Sequence, residues 1–171
     1  MQGMKLPRGQ HERIAPPTPA EASAILAVAK GHVYRAVMLG IFLGVRIGPT
    51  ELFRLKWEDV DFERRTIRVW SAAKNKNQAY RDVPIRENLL EEMKVWGRSD
   101  AEAGCEFIIH FKGKQIDSMK SAWRDTKKAA GITRRMRPYD LRHAFATYAL
   151  DNDADLKSVA EIMGHSNPTM I

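Results

Sequence analysis

The period of the hydrophobic pattern changes twice along this chain, and these changes restrict the possible folds more than any other feature. Up to about residue 57 the apolar side chains recur at helical spacing, and they do so again from residue 87. Between these parts the pattern alternates, and residues 59–62, 66–70 and 80–85 are rich in β-forming side chains. The sequence therefore predicts a mainly α domain with a small three-stranded antiparallel β-sheet, in the α+β class.

Capping residues and prolines indicate where the predicted domain begins. Residues 1–17 are polar and contain three prolines, so they are expected to form a linker or mobile arm. Thr18, Pro19 and Glu21 have the spacing of a capping box with proline at the first helical position. The domain is then expected to cover residues 18–171. Its helices are predicted at 19–30, 34–44, 49–57, 87–96, 118–130, 139–150 and 155–163, with a short strand at 107–111.

The composition excludes several classes of protein. At 44% hydrophobic residues, the 171-residue chain has enough apolar side chains for a folded core. The most apolar run, residues 36–45, is too short to span a bilayer, so we expect no membrane partner and a cytoplasmic protein. The single cysteine, Cys105, excludes an internal disulfide and a zinc site of several cysteines. Because the common phosphate-loop and metalloprotease motifs are also missing, we expect no cofactor and no metal.

The formal net charge of +7 comes from one segment of the chain. Residues 112–143 contain ten basic and three acidic side chains, so the rest of the chain is formally neutral. A neutral body with one basic segment is typical of a protein that binds a polyanion. A solvated helix face that is basic by chance would give the same pattern, and charge alone does not distinguish the two.

One arginine lies between two predicted helices, where it needs a polar partner. Arg46 follows an apolar helix within the stretch Gly44-Val45-Arg46 and precedes the next predicted helix. Such an arginine either pairs with an acidic side chain, for which Glu51 and Asp59 are the candidates, or binds a ligand. Taken singly, this stretch is explained by a structural ion pair.

Two later stretches also carry polar side chains in unusual places. Tyr139 and Arg142 are three residues apart in one predicted helix, so they share a face of that helix. His165 directly follows Gly164, which has the position of a helix C-cap. Each of these stretches, taken singly, also fits an ordinary structural role.

Taken together and in order, these motifs resemble the catalytic domain of the tyrosine recombinases of the phage integrase type. The resemblance covers about residues 18–171. The similar stretches are Gly44-Val45-Arg46, the run 51–61 (ELFRLKWEDVD), Lys74 after the strand 66–70, the run 81–85 (RDVPI), the run 140–147 (DLRHAFAT) and Gly164-His165.

The resemblance implies a mechanism and a role for each matching residue. A tyrosine would attack a DNA phosphodiester and form a 3′-phosphotyrosine, which keeps the bond energy for rejoining. Arg46 and Arg142 would contact the non-bridging phosphate oxygens with their planar guanidinium groups. Lys74 would protonate the departing 5′ oxygen, and His165 would assist the proton transfer or bind the phosphate. Tyr139 stands where the family has a histidine, and its phenol can still donate a hydrogen bond to the phosphate.

The sequence departs from the family's pattern in three places and leaves one choice open. Tyr139 is one departure, because a phenol is a poorer base than imidazole near pH 7. Glu51 lies five residues after Arg46, two more than is usual in the family. The nucleophile would fall near position 174, so this chain is expected to be a catalytic-domain fragment truncated before its tyrosine. For the proton donor we favour Lys74 over Lys76, because Lys74 directly follows the end of the strand.

The resemblance also implies partners. Double-stranded DNA is the expected partner, and the family works as a tetramer on DNA, while we expect a monomer in solution. A DNA-acting protein of this kind is expected at the nucleoid. The side chains expected to contact DNA are Lys76, Lys120, Arg124, Lys127, Lys128, Arg134, Arg135 and Arg137.

Three functional hypotheses follow. The first is a site-specific recombinase or integrase, of which this chain is a catalytic-domain fragment. The second is a non-catalytic DNA-binding module that retains the recombinase fold and its phosphate pocket. The third is an RNA-binding or protein-interaction domain with a fortuitously basic helix.

Overall fold

The structure is a computed structural model that describes residues 15–70 and 80–164. These residues confirm a mainly helical domain with a three-stranded antiparallel sheet. No helix among them is long and apolar enough to cross a membrane. The elements are α1 (Pro19–Val28), α2 (Gly31–Leu43), β1 (Val60–Asp61), β2 (Thr66–Trp70), β3 (Tyr80–Pro84), α3 (Glu87–Glu102), β4 (His110–Phe111), β5 (Lys114–Gln115), α4 (Lys120–Ala129), α5 (Asp140–Asp151) and α6 (Leu156–Met163).

The three-stranded sheet forms as the alternating pattern predicts. Its strands run in the order β1-β2-β3, all antiparallel, with Ile67 opposite Val83 and Val69 opposite Arg81. One face is buried against the helices, and the other carries an exposed ion pair between Arg68 and Asp82. Pro84 ends β3, where its missing N–H does not interrupt the ladder.

The helical core is built around α2. Most side chains of α2 are buried, and α5 packs alongside it, with α1 and α4 on other sides. The capping box of α1 is formed as predicted, because the Thr18 hydroxyl accepts from the Glu21 N–H and the Glu21 carboxylate accepts from the Thr18 N–H. The packing of α2 on α5 brings the segment that follows α2 beside the first turn of α5.

The helix predicted at 49–57 is replaced by two short 3₁₀ turns, Leu52–Arg54 and Trp57–Asp59. Two backbone features explain the difference. Glu51 has φ −132° and ψ −77°, which is outside the helical region and turns its carboxylate inward. Downstream, the N–H of Ile108 donates to the carbonyl of Leu55. This part of the backbone therefore forms hydrogen bonds with a distant segment and not the local ones of a helix.

Other boundaries differ by smaller amounts. Gly31 begins α2 with φ +53° and does not end α1, which stops at Val28. Helix α3 extends to Glu102, six residues beyond the predicted end, because the buried Asp100 in its last turns accepts hydrogen bonds from Arg35. The strand predicted at 107–111 reduces to a bridge at residue 107 and the two-residue strand β4.

The end of the predicted N-terminal arm contacts the domain. Arg134 donates to the carbonyls of Ala15 (2.9 Å) and Pro16 (3.1 Å), and the Tyr148 hydroxyl donates to the carbonyl of Pro17 (2.7 Å). These hydrogen bonds hold residues 15–17 against the domain, while residues 1–14 of the predicted arm lie outside the described part of the chain.

Candidate active site

Arg46 lies in the loop after α2, with its backbone turned toward Glu51. Gly44, the C-cap of α2, has the left-handed conformation with φ +61°. The Arg46 N–H donates to Oε2 of Glu51 at 2.9 Å, and its side-chain Nε lies 3.7 Å from Oε1. The acidic partner is therefore Glu51, whereas Asp59 accepts from the Lys56 N–H and from Trp70. Because 40% of the Arg46 side chain is exposed, its guanidinium can meet a ligand at the surface.

Glu51 is the centre of a cluster of charged side chains. Its carboxylate is buried, and it accepts hydrogen bonds from two nitrogens of Arg81, at 2.9 and 3.4 Å. Nη1 of Arg142 lies 3.8 Å from the same carboxylate. Three guanidinium groups therefore surround one carboxylate, so the cluster carries a positive excess, which suits an anionic ligand.

Arg142 is completely enclosed on the first turns of α5. Its Nη1 donates to the carbonyl of Gly44 at 2.6 Å, and its Nη2 donates to the carbonyl of Met163. Burial lowers the pKa of Arg142 to about 10, the Glu51 carboxylate opposes this shift, and the charges of Arg81 and Arg46 add to it. The guanidinium therefore stays charged at neutral pH and links the end of α2 to the end of α6.

Arg81 is a buried member of the cluster, although no role was predicted for it from the sequence. It lies on β3 and shares the inward face with Val83. Besides Glu51, it donates from Nε to the carbonyl of Ile162 at 2.6 Å. One signal in the sequence points to it, because an arginine at an inward position of an alternating strand needs a buried partner.

Tyr139 lies at the surface beside the cluster, at the N-cap of α5. Its carbonyl accepts from the Arg142 N–H at 3.1 Å, and its ring meets His143 edge-on with the ring centres 5.3 Å apart. Burial lowers the pKa of His143, so its imidazole is neutral at pH 7. The structure thus brings Arg46, Tyr139 and Arg142 into one region.

Three predicted site residues are not covered by the structure. Lys74, Lys76 and His165 lie outside the described residues. Their neighbours in sequence are described, since β2 ends at Trp70, β3 begins at Tyr80, and Gly164 caps α6 with φ +70°. The roles of these three residues stay predictions.

Helix α4 carries four of the eight predicted DNA-contacting side chains. Trp123 anchors the helix by donating from its indole to the carbonyl of Met136 at 2.9 Å. Lys127 is half-buried and donates to the carbonyl of Arg134. The exposed members at i and i+4 spacing are Lys120, Arg124 and Lys128.

The three arginines after α4 have different environments. Arg134 forms a two-pronged ion pair with Glu21, at 2.6 and 2.7 Å, in addition to its bonds to the N-terminal segment. The hydrogen bond from Arg134 is the main cause that lowers the pKa of Glu21, to about 2. Arg137 pairs with the buried Asp140 but remains half exposed, and Arg135 is exposed. Arg134 therefore fixes the N-terminal segment, whereas Arg135 and Arg137 remain available at the surface.

The arrangement of acidic residues, histidine and cysteine offers no metal site in the part that the structure describes. No group of three such side chains is placed to hold an ion within residues 15–70 and 80–164. The chemistry that the described cluster supports is the binding of an anion by guanidinium groups.

The chain is similar to known proteins over most of its length. The sequence pattern of the phage integrase family matches residues 18–171. The chain is 34% identical to tyrosine recombinase XerA of Thermococcus onnurineus over 156 residues, which are 88% of this chain and 54% of that protein. Across its matches, the chain spans about half the length of the curated relatives.

Solved structures share the fold. The crystal structure of XerA recombinase is similar with a TM-score of 0.78 and 26% identity, covering 92% of this chain and 58% of that one. The catalytic core of lambda integrase has the same fold, with a TM-score of 0.69 at 19% identity over 89% of this chain and 92% of that one. Since the family pattern covers nearly the whole chain and the fold agrees, the chain belongs to the phage integrase family and has the fold of a tyrosine recombinase catalytic domain.

Proposed function

We propose that the protein containing this chain is a site-specific recombinase that breaks and rejoins double-stranded DNA through a 3′-phosphotyrosine. The observation that carries the proposal is the convergence of Arg46 and Arg142 on the buried carboxylate of Glu51. In the transition state of phosphoryl transfer, negative charge is spread over the non-bridging oxygens. Two guanidinium groups held beside one carboxylate stabilise that charge once the phosphate contacts both of them. Membership in the phage integrase family supports the same reaction.

The proposed reaction exchanges one phosphodiester for another. The tyrosine oxygen forms a bond to phosphorus and passes its proton to water, the bond to the 5′ oxygen breaks, and that oxygen takes a proton from Lys74. In the return step the 5′ hydroxyl of a second strand attacks the phosphotyrosine. Arg46 contacts the phosphate at the surface, and His165 and Tyr139 donate hydrogen bonds to it. The bond energy is retained, so rejoining needs no nucleotide.

Arg142 has a second task in this proposal. Its side chain is enclosed, and two of its nitrogens already donate to the carbonyls of Gly44 and Met163. A phosphate oxygen reaches its remaining N–H groups only if the residues that cover it move. We therefore assign to Arg142 both the positioning of these two backbone segments and a phosphate contact that forms when DNA binds.

The non-catalytic DNA-binding module remains a second candidate. The enclosure of Arg142 and the presence of Tyr139 at the family's histidine position favour it. This second hypothesis predicts DNA binding with no covalent intermediate. The adduct experiment described below therefore distinguishes it from the recombinase.

We propose double-stranded DNA as the partner, contacted by the exposed side chains of α4 and by Arg135, Arg137 and Lys76. The net charge of the segment 112–143 supports a polyanionic partner. A monomer in solution, a tetramer on DNA and association with the nucleoid stay predictions. Sedimentation velocity with and without duplex DNA measures the first two.

The test uses the full-length protein encoded by the reading frame that contains this sequence. The protein is incubated with a randomised pool of nicked duplexes. Cleavage near the nick releases a short fragment that carries the 5′ hydroxyl. Because this hydroxyl is lost, the strand cannot be rejoined and the covalent adduct accumulates. Adducts that survive denaturant are isolated and their DNA is sequenced. We expect adducts on a defined sequence, reduced by about 10²-fold or more in Arg46→Ala, as in the loss of one oxyanion-type contact.

Arg64→Ala is the matched control for Arg46→Ala. Arg64 lies on the turn between β1 and β2, with 84% of its side chain exposed and Asp61 as its partner. Its replacement removes the same charge without touching Glu51 and is expected to leave adduct formation within about twofold. Absence of adducts with DNA binding retained would select the non-catalytic module. Adducts that form equally well in Arg46→Ala and Arg142→Lys would contradict the proposed site.

A further inference from the structure

We infer that Arg81 is a positioning residue for the proposed reaction: it holds the last turn of α6 in register with the Arg46–Glu51–Arg142 cluster. The inference rests on the proposed function, since it assigns Arg81 to the same site. It concerns a side chain on the sheet that contacts no substrate and acts through its neighbours.

The first observation is that Arg81 joins two parts of the fold that are distant in sequence. Its Nη2 donates to Glu51 at 2.9 Å, and its Nε donates to the carbonyl of Ile162 at 2.6 Å. The side chain is only 5% exposed. A buried guanidinium is costly to desolvate and is retained where its geometry is used.

The second observation is that Arg81 and Arg142 share the end of α6. Arg142 donates to the carbonyl of Met163, and Arg81 donates to the carbonyl of the residue before it, Ile162. These carbonyls belong to the last turn of a helix, where no intrahelical donor is available to them. The two arginines therefore act as an external C-cap that ties α6 to Glu51.

The third observation is the contact with Gly164. A Cβ added to Gly164 would meet Nη1 of Arg81 at 3.0 Å and its Cζ at 3.2 Å. The guanidinium thus packs directly on the glycine that ends α6 in the left-handed conformation. The next residue in the sequence is His165, so Arg81 contacts the turn that directly precedes that residue.

The fourth observation is the position of Arg81 on β3. It is the second residue of that strand, directly after Tyr80, and β3 follows the segment that contains Lys74. Arg81 therefore contacts both Glu51 and α6 from a strand that follows Lys74 in the sequence. Loss of this contact would misplace groups that must lie within a fraction of an ångström for efficient catalysis.

The test compares Arg81→Lys, Arg81→Gln and Arg68→Gln in the full-length protein. Arg68 lies on the neighbouring strand β2 and pairs with Asp82 at 3.0 Å on the exposed face, so it is a matched control for the loss of one ion pair. Single-turnover formation of the covalent adduct and the affinity for the same duplex are measured at a temperature at which all variants are folded. We expect both Arg81 variants to form the adduct about 10–100-fold more slowly, with DNA affinity and the rate for Arg68→Gln within about threefold of the wild type.

A double-variant cycle separates positioning from a general structural role. In the His165→Ala background, replacing Arg81 by Lys is expected to slow adduct formation by a much smaller factor than in the wild type, because the residue that depends on the turn has been removed. A purely structural role would give the same factor in both backgrounds, and that result would overturn the inference.

A measurement without catalysis tests the inference even where the full-length protein forms no adduct. In protein labelled with ¹⁵N on arginine only, the Nε–H of Arg142 is buried and should exchange slowly with water. We expect faster exchange and a shifted signal in Arg81→Lys but not in Arg68→Gln. If the wild type forms no adduct, the proposed function fails, whereas an unchanged Arg142 signal, or normal adduct formation in both Arg81 variants, overturns this inference.

Discussion

The guanidinium of Arg81 and the carboxylate of Glu51 form an ion pair of 2.9 Å, in which the two side chains are 5% and 3% exposed. This pair connects β3 to the loop after α2, and Arg142 approaches the same carboxylate from α5. Removing one member of such a cluster leaves charges buried without a partner, which costs far more than losing an exposed pair. The first prediction follows from this contrast.

Glu51→Ala is expected to destabilise the protein by about 3–5 kcal/mol, because Arg81 loses its hydrogen-bond acceptor and all three guanidinium groups lose their shared negative charge. Asp82→Ala is the control, since its ion pair with Arg68 is about half exposed and should contribute less than about 1 kcal/mol. Urea unfolding measures the free energies. Equal losses in the two variants would show that the buried cluster does not stabilise the fold.

Gly44→Ala is expected to destabilise the fold by about 2–4 kcal/mol, because it combines a left-handed backbone with a steric clash. Gly44 has φ +61°, and an added Cβ would lie 2.4 Å from Cδ1 of Phe145. Gly131→Ala is a matched control: its φ is +71°, but nothing lies within 4 Å of an added Cβ. It should cost only about 1–2 kcal/mol. Thermal and urea unfolding of the two variants measure the difference, and a Gly44→Ala protein as stable as Gly131→Ala would contradict the predicted clash.

The pair between Glu21 and Arg134 should make stability depend on acid. The pKa of Glu21 is about 2 in the folded protein, against an ordinary value of 4.5. A lowered carboxyl pKa means that the stabilisation is fully present above pH 4.5 and is lost as the pH falls toward 2. Between pH 7 and pH 3 the wild type should lose about 1 kcal/mol more than Glu21→Gln, a figure reduced for the access of water to the pair.

Urea unfolding of both proteins across this pH range measures that difference. Glu63→Gln, on the exposed turn between β1 and β2, serves as the control and should follow the wild type. Parallel curves for the wild type and Glu21→Gln would show that the pair does not respond to pH in this way.

Binding of nonspecific duplex DNA should depend on salt through helix α4. Each exposed lysine that neutralises a phosphate adds about one unit to the slope of log affinity against log salt. Lys120→Gln and Lys128→Gln are therefore each expected to weaken binding and to reduce this slope by about one. Lys94→Gln, which removes a lysine paired with Glu91 on α3, is the control. A slope unchanged by the α4 variants would place the DNA elsewhere.

A modified substrate should distinguish Lys74 from Lys76. If a lysine protonates the departing 5′ oxygen, its replacement by alanine slows cleavage of ordinary DNA by about 10²–10⁴-fold. A substrate with sulfur in place of that oxygen should rescue the same variant, because a thiol with a pKa of about 8.5 leaves without protonation. We expect rescue for Lys74→Ala and little defect for Lys76→Ala. Rescue of Lys76→Ala alone would reverse the assignment.

Local features of the sequence predicted the elements that depend on local interactions. The capping box at Thr18 predicted the start of α1, and the alternation in 66–70 and 80–85 predicted the starts of β2 and β3. Each observed start lies within one residue of the predicted one. The prediction of a helix at 49–57 is wrong, because Glu51 and Leu55 form hydrogen bonds with partners 30 or more residues away. A prediction made from neighbouring residues alone cannot include such distant partners.

The candidate site shows the same division. The order of motifs identified Arg46 and Arg142, and the spacing named Glu51 as one of two possible partners. Arg81 was read as part of a strand and of the run 81–85 that resembles the family, without a role of its own, although its inward position in the alternation marks it as buried. Its two partners lie 30 and 81 residues away, and they meet only because β3, the loop after α2 and the end of α6 pack together.

The sequence by itself determined the family, the succession of helices and strands, and the residue types available to bind a phosphate. Only the tertiary structure decided which charged side chains share the Glu51 carboxylate, and that Arg142 is enclosed while Arg46 is half open. The physical reason is desolvation. A buried charge is stable only when groups from distant parts of the chain surround it, so its role depends on the packing of the whole domain and not on its neighbours in sequence.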